Sequence, residues 1–183
     1  VFCRFLDFQA LDELRAMRDR ILSETTRHQS GWDQFDVKLG VGGIREVEFL
    51  VQSLQLIYGG RHPELDEPNT LRCLDRLRQL DLLERAVVEE LKASYTFLRR
   101  VEHWVQLDQN RQTQKLPRTP EARTRLALAL GFDGDERVFL EQLAACCRLV
   151  HLHFLALFGA DSGERRGYER DDEDSASQAR SAR

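Results

Sequence analysis

A glycine-rich stretch that runs into a charged helix start is the part of this sequence best suited to chemistry. Residues 36–49 read DVKLGVGGIREVEF. Where such a loop enters a helix, unpaired backbone N–H groups and the helix dipole can hold an anion such as a phosphate. Lys38 and Arg45 flank the loop and would add positive charge, and Gly42 and Gly43 permit backbone conformations that other residues resist. This segment is the candidate phosphate-facing or nucleotide-facing site.

Two acids, Glu46 and Glu48, complete the candidate site in the first turns of the helix. Being two residues apart, they diverge around the helix and cannot both face one ligand squarely. In a nucleotide-facing role, one of them would orient metal-bound water or a basic partner. In the alternative interpretation the glycines serve a tight turn and close packing, the acids complement the helix dipole, and Arg45 pairs with Glu48 on the surface. The residues alone leave both open, because the loop matches neither a Walker A motif nor GxGxxG.

The elements that must position this segment are helices. The spacing of apolar residues predicts six of them, over about residues 7–28, 44–58, 70–80, 84–110, 120–130 and 135–158. Phe35, Val37 and Leu39 alternate with charged residues, which predicts a brief extended segment before the glycines. With short connections and no convincing sheet, the predicted fold class is all-α, a helical bundle of about six helices.

Local signals mark several helix ends. Asn69 is a good N-cap, and Thr119-Pro120-Glu121 combines a capping hydroxyl, a first-position proline and a first-turn acid. Gly59 with Gly60, and Gly131, follow apolar stripes and predict glycine C-caps. The stripe of the last helix predicts these inward residues: Val138, Phe139, Leu143, Cys146, Leu149, Val150, Phe154 and Leu157.

Composition excludes some classes of protein. Of the 183 residues, 42% are apolar and 32% are charged, and the net charge is −4. Such a balance supports a globular core and predicts no nucleic-acid partner. No run approaches the roughly 18 apolar residues of a membrane span, so no membrane partner is expected either. The chain begins at Val1 without a signal peptide, which predicts a part of a longer cytoplasmic protein.

The remaining reactive side chains show no site of their own. The four cysteines lack zinc-ligand spacing and read as buried or half-buried thiols. His151 and His153 are two apart on a helix and diverge, so no metal site is predicted. Arg99, Arg100 and Glu102 on the long helix read as a solvated face. Residues 159–183 contain no aliphatic side chain larger than alanine, which predicts a disordered, flexible linker or tail after a domain over 1–158.

At this point the sequence resembles a known family. DVKLGVGGIREVEFLVQ is similar to a signature of the bifunctional glutamine synthetase adenylyltransferase/adenylyl-removing enzymes. The stretches VFCRFLDFQALDEL, LKASYTFLRRVEHWVQ and QTQKLP agree with it, so the resemblance covers about residues 1–158. It implies a helical domain that follows a nucleotidyltransferase domain, in the N-terminal, adenylyl-removing half. The related PII uridylyltransferase reads closer to GGLRD, so Ile44 and Glu46 argue against that alternative.

The resemblance also implies an activity. The whole enzyme would attach AMP from ATP to a tyrosine of glutamine synthetase and remove it by phosphorolysis, giving ADP, under control of the PII signal protein and glutamine. Magnesium and ATP or ADP are implied for the full-length enzyme, and none of them for this part alone. The catalytic Asp-x-Asp pair is expected upstream, in the preceding nucleotidyltransferase domain, so no catalytic residue is assigned here. Asp172-Glu173-Asp174 has the bare spacing, but it lies in the predicted tail and is read as accidental.

Three roles for this chain follow. It completes the neighbouring active site, or it is a non-catalytic signalling module that binds PII and glutamine synthetase, or it is a structural spacer. Substitution of the charged residues around the glycine-rich loop discriminates the first two. The first predicts lost chemistry, and the second predicts lost regulation with basal chemistry intact.

Overall fold

The described part of the chain is built from five α-helices. The computed structural model describes Ala16, Trp32, residues 35–109 and residues 113–158. Within these residues the helices are α1 (Ile44–Tyr58), α2 (Thr70–Gln79), α3 (Arg85–Gln109), α4 (Pro120–Leu130) and α5 (Glu136–Phe158), with a 3-10 turn at Pro63–Leu65. The predicted all-α class is confirmed, and each helix predicted between residues 44 and 158 is present. Ala16 is helical, but the remainder of the predicted helix over 7–28 lies outside the described residues, as do residues 159–183.

The long helices α3 and α5 form the centre of the bundle. Helix α5 packs against α1, α3 and α4, and α3 also packs against α1 and α2. The predicted extended segment is present as one short pairing. Val37 N–H donates to Gln114 O, and Leu116 N–H donates to Phe35 O, both at 2.9 Å. This pairing ties the start of the glycine-rich loop to the connection between α3 and α4.

The predicted helix ends are mostly confirmed. Asn69 Oδ1 accepts from Arg72 N–H at 3.1 Å, and Thr119 Oγ1 accepts from Ala122 N–H at 3.3 Å. Gly131 ends α4 in the left-handed conformation, with φ +92°. Gly59 differs from the expected glycine cap, because it is right-handed (φ −60°) and its N–H continues the helical pattern to Gln55 O. The chain therefore leaves α1 in a further right-handed turn and does not reverse there.

The core follows the predicted stripes with corrections on α5 and α3. Phe139, Leu143, Cys146, Val150 and Phe154 are buried as predicted. Val138 and Leu157 were wrongly predicted to face inward, since they are 39% and 36% exposed. Near the start of α3 Val88 is fully buried, whereas the predicted Val87 only packs at the edge of the core. Both helices carry apolar residues on several faces, so spacing alone does not decide which face is covered.

The structure also bears on two further predictions, one about the cysteines and one about membrane spans. Cys73, Cys146 and Cys147 are buried free thiols, as predicted, and Cys3 lies outside the described residues. The expectation that no segment resembles a membrane span needs correction. Residues Glu136–Leu157 of α5 are long and apolar enough to cross a membrane by length and composition, with a mean hydropathy of 1.3. This is weak grounds for a membrane role, because the core helix of a water-soluble protein passes the same test.

Candidate functional site

The glycine-rich loop is folded on itself by short-range hydrogen bonds. The buried Asp36 side chain accepts from Lys38 N–H at 3.0 Å and from Leu39 N–H at 2.8 Å through Oδ1. This is the turn that aspartate side chains form with the backbone two and three residues on. Gly40 N–H then donates to Asp36 O at 2.7 Å, and Gly43 N–H donates to Gly40 O at 2.9 Å. Asp36 thus fixes the loop conformation, a role the sequence analysis did not assign to it.

The same loop supplies acceptors to the first turn of α1. Ile44 N–H donates to Val37 O, Arg45 N–H to Lys38 O, and Glu46 N–H to Gly43 O, each at 3.1 Å. Helix N-terminal N–H groups are the donors that an anion would need. Here the three N–H groups already donate to carbonyl oxygens of the loop. The prediction of a phosphate-facing segment therefore depends on its side chains and not on this backbone.

Gly42 and Gly43 are buried where the loop meets other backbone. Gly42 is left-handed (φ +71°), and a Cβ atom built on it would lie 1.9 Å from Cys147 O on α5. A Cβ on Gly43 would lie 2.7 Å from Val37 O and 2.8 Å from two other loop carbonyls. Both positions need glycine for close packing, as the packing interpretation of the segment requires.

Glu46 is the most unusual member of the predicted site. Its side chain is fully buried, with 0% exposure, and faces α5. Its Oε1 and Oε2 lie 3.2 and 3.1 Å from Nδ1 of His151. Burial raises the pKa of Glu46 above its ordinary value, while a backbone hydrogen bond at Gly42 and the His151 ring act in the opposite direction. The carboxyl group is thus held between the loop and α5, away from solvent.

Helices α1 and α5 run parallel and in register at this point. Three contacts join α5 to α1 and the loop before it: Gly42 with Cys147, Glu46 with His151, and Phe49 with Phe154, whose ring centroids are 5.9 Å apart. Each contact joins residues 105 positions apart in the chain. A constant separation over two helical turns means that the first half of α1 lies along α5 without sliding.

Glu48 lies on the other side of α1 and contacts α3. Its Oε1 accepts from Tyr95 Oη at 3.0 Å. The Arg99 guanidinium lies 6.0 Å from the centre of the Tyr95 ring and pairs with Glu102 at 3.0 Å. The structure thus gives Glu48 a partner on α3, which the sequence analysis did not predict. Glu102 is nearly buried, so the expectation that it belongs to a solvated face is wrong, whereas Arg99 is exposed as expected.

The predicted site therefore divides into two groups. Gly42, Gly43 and Glu46 are buried, whereas Lys38, Arg45 and Glu48 are half-buried and reach the surface. Two partners of these residues, His151 and Tyr95, were not predicted from the sequence. One signal was available for Glu46: it occupies the same helical stripe as the buried residues Phe49, Leu50 and Ser53.

The described residues do not assemble a metal centre. No group of three His, Cys, Asp or Glu side chains that could hold a metal ion is found among them. The prediction that His151 and His153 diverge is confirmed, because His153 Nε2 lies 2.7 Å from Glu90 Oε2 on α3, whereas His151 contacts α1. Each histidine joins α5 to a carboxylate of a different helix.

Fold and site together define a helical domain whose glycine-rich loop is bonded to its own chain and locked against the last helix. Residues 15–158 match the family described as GlnD PII-uridylyltransferase, and the chain belongs to that family.

Curated relatives bear the name of the adenylyltransferase/adenylyl-removing enzymes, which the sequence also resembles. A protein of Alteromonas mediterranea is 48% identical over 153 residues, which is 84% of this chain and 15% of the relative. Proteins of Thioalkalivibrio sulfidiphilus and Nitrosococcus oceani are 44% and 46% identical over 90% and 86% of the chain, each covered to 16% of its own length. All three are named bifunctional glutamine synthetase adenylyltransferase/adenylyl-removing enzyme, which confirms the resemblance. The chain spans about one sixth of the length of these relatives.

Proposed function

We propose that this chain is the helical domain of a bifunctional glutamine synthetase adenylyltransferase/adenylyl-removing enzyme and completes an adjoining nucleotidyltransferase site. The observation that carries the proposal is the agreement of relatives at 44–48% identity over most of the chain. In this proposal glutamine synthetase is the substrate and the cytoplasm is the compartment. The PII signal protein is proposed as the regulator.

The burial pattern separates residues that hold the site together from residues that could contact a ligand. Gly42, Gly43 and Glu46 form the anchored framework, and Lys38 and Arg45 are carried on it at the surface. Two cations on a rigid turn would meet the phosphate of a nucleotide held by the neighbouring domain, where charge stabilisation has the largest effect on phosphoryl chemistry. Of the two candidate acids, Glu48 is the one placed to orient a basic partner or water, because Glu46 is enclosed.

Magnesium and ATP or ADP belong to the adjoining domain in this proposal. A magnesium ion that bridges nucleotide phosphates is held through one or two carboxylates with waters. The enclosed Glu46 and the Tyr95-bonded Glu48 do not converge on one point, and the described residues offer no other cluster of ligands. Glu46 and Glu48 therefore do not form a shared metal site, and no step is assigned to a metal here.

The test uses the full-length protein that contains this chain. Removal of AMP from adenylylated glutamine synthetase and its attachment would be measured for Lys38→Ala and Arg45→Ala. We expect removal to fall about a hundredfold, which corresponds to about 2.7 kcal/mol of transition-state stabilisation, while attachment stays within about threefold of wild type. Arg137→Ala is the matched control, because Arg137 is an exposed helical cation paired with Glu141. Wild-type removal in both site variants, with helices intact by circular dichroism, would refute a nucleotide-facing role.

A second candidate, a protein-binding module for PII and glutamine synthetase, is favoured by exposed apolar side chains. Leu152 and Leu155, which are three residues apart and therefore share one face of α5, are 63% and 40% exposed. Apolar surface of this kind often marks protein contacts. For this role, Leu152→Ser would abolish the response of the full-length enzyme to PII and leave basal AMP removal unchanged. Transfer of a uridylyl group from UTP to PII by the same protein would instead establish the activity in the family description.

A further inference from the structure

We propose that His151 is a positioning residue of this site: by holding the Glu46 carboxyl group, it fixes the turn that carries Lys38 and Arg45. The inference rests on the proposed function, in which those two cations face nucleotide phosphate. Sequence spacing gave His151 no role, and its side chain belongs to α5, about a hundred residues further along the chain.

Glu46 depends on His151 as its partner. A buried carboxyl group that loses a hydrogen-bond partner loses the compensation for its removal from water. Glu46 is 0% exposed, and both of its oxygens lie within 3.2 Å of His151 Nδ1. The ring is held in place, since it lies nearly parallel to Phe154 at 11°, and Phe154 packs on Phe49 of α1. The histidine is therefore an oriented partner and not a mobile surface group.

Glu46 is also connected to the two cations through the backbone of the loop. The Glu46 backbone N–H donates to Gly43 O at 3.1 Å, so the residue that contacts α5 through its carboxyl group is also bonded to the loop. Arg45 N–H donates to Lys38 O at 3.1 Å, which joins both cation-bearing residues to the same turn. A shift of the first turn of α1 relative to α5 would therefore displace Lys38 and Arg45 together. Displacements of about 1 Å in a positioned group can cost up to about a hundredfold in rate.

His153 provides a natural control on the same helix. Its Nε2 contacts Glu90 Oε2 at 2.7 Å, which joins α5 to α3 and not to the loop. Glu90 is largely exposed, with 47% of its side chain accessible. If His151 only stabilised the packing of α5, substitutions of His151 and His153 would have the same effect on activity.

The experiment compares His151→Asn with His151→Gln in the full-length protein. The asparagine amide nitrogen is bonded to Cγ, as Nδ1 of histidine is, whereas the glutamine amide nitrogen lies one carbon further out. We expect His151→Asn to keep kcat for AMP removal within about threefold of wild type and His151→Gln to lower it about tenfold, with KM unchanged. Glutamine has the higher helix propensity, so a purely structural role predicts the opposite order. His153→Gln should leave kcat within about twofold.

The kcat values of the His151 and His153 variants distinguish a positioning role from a purely structural one. Loss in His151→Gln with rescue in His151→Asn and no effect of His153→Gln supports the proposal. Equal kcat in the two His151 variants, or equal losses in all three, would overturn it, because neither depends on the position of the donor. Arg45→Ala is measured alongside. If it lowers removal while both His151 variants resemble wild type, the inference fails and the proposed function stands. If Arg45→Ala has no effect on AMP removal, the proposed function itself is refuted.

Discussion

Replacing Gly42 by alanine should break the contact between the glycine-rich loop and α5. The left-handed conformation at φ +71° costs an alanine about 1–2 kcal/mol. The added Cβ would lie 1.9 Å from Cys147 O and 2.5 Å from Cys147 C, both backbone atoms of a helix. Because no flexible side chain can move aside, we add about 1–3 kcal/mol for overpacking. The expected loss in the free energy of unfolding is therefore about 2–5 kcal/mol.

Gly131→Ala separates the two contributions. Gly131 is also left-handed, at φ +92°, but a Cβ there meets no atom within 4 Å. It should lose only the conformational part, about 1–2 kcal/mol. The measurement is urea unfolding of the 183-residue chain followed by circular dichroism, with both variants compared at equal slope. If Gly42→Ala is no more destabilising than Gly131→Ala, the close approach of the loop to Cys147 is refuted.

Three further outcomes test other parts of the structure. Thr119→Ala should cost about 1 kcal/mol of unfolding free energy by removing the cap of α4, whereas the exposed Thr124→Ala in the same helix should change it by less than about 0.5 kcal/mol in urea titrations. Burial raises the pKa of Glu46 above its ordinary value of 4.5, so above pH 4.5 the folded chain retains a proton that the unfolded chain releases. The wild type should therefore lose stability relative to Glu46→Gln as the pH rises from 4.5. A difference in urea midpoints that does not change with pH would contradict this. Burial raises the pKa of Cys73 from 9.0 to about 11, so its thiol should react with a disulfide reagent at pH 8 about a hundredfold more slowly in the folded chain than in urea. The rate is read from the modified Cys73 peptide by mass spectrometry, because Cys146 and Cys147 are also free thiols, and equal rates would contradict the burial of Cys73.

Features fixed by neighbouring residues could be predicted from the sequence. The start of α1 at Ile44, the caps Asn69 and Thr119, and the end of α4 at Gly131 each depend on a few adjacent residues. These signals act through local hydrogen bonds and local backbone preference. The same reasoning failed at Gly59, because a glycine after a helix permits the left-handed conformation without requiring it.

Features that depend on distant partners could not be predicted. The sequence places Glu46 in a first helical turn, where an exposed acid that complements the dipole is common. Its burial depends on the position of α5, and no local pattern encodes a partner 105 residues away. Exposure of Val138 and Leu157 has a similar origin, since apolar residues occur on several faces of α5 and only the packed bundle selects among them.

The parallel register of α1 and α5 also sets an order of events in folding. Contacts between residues 105 positions apart close a long loop of chain, and such contacts form later than those within a helix or between neighbours. During synthesis at about 5–20 residues per second, the Cys147 backbone leaves the ribosome roughly 5–20 s after Gly42. Over that interval the glycine-rich loop lacks the surface against which it packs. The segment that carries Lys38 and Arg45, although it lies early in the described chain, is completed only when the last helix arrives.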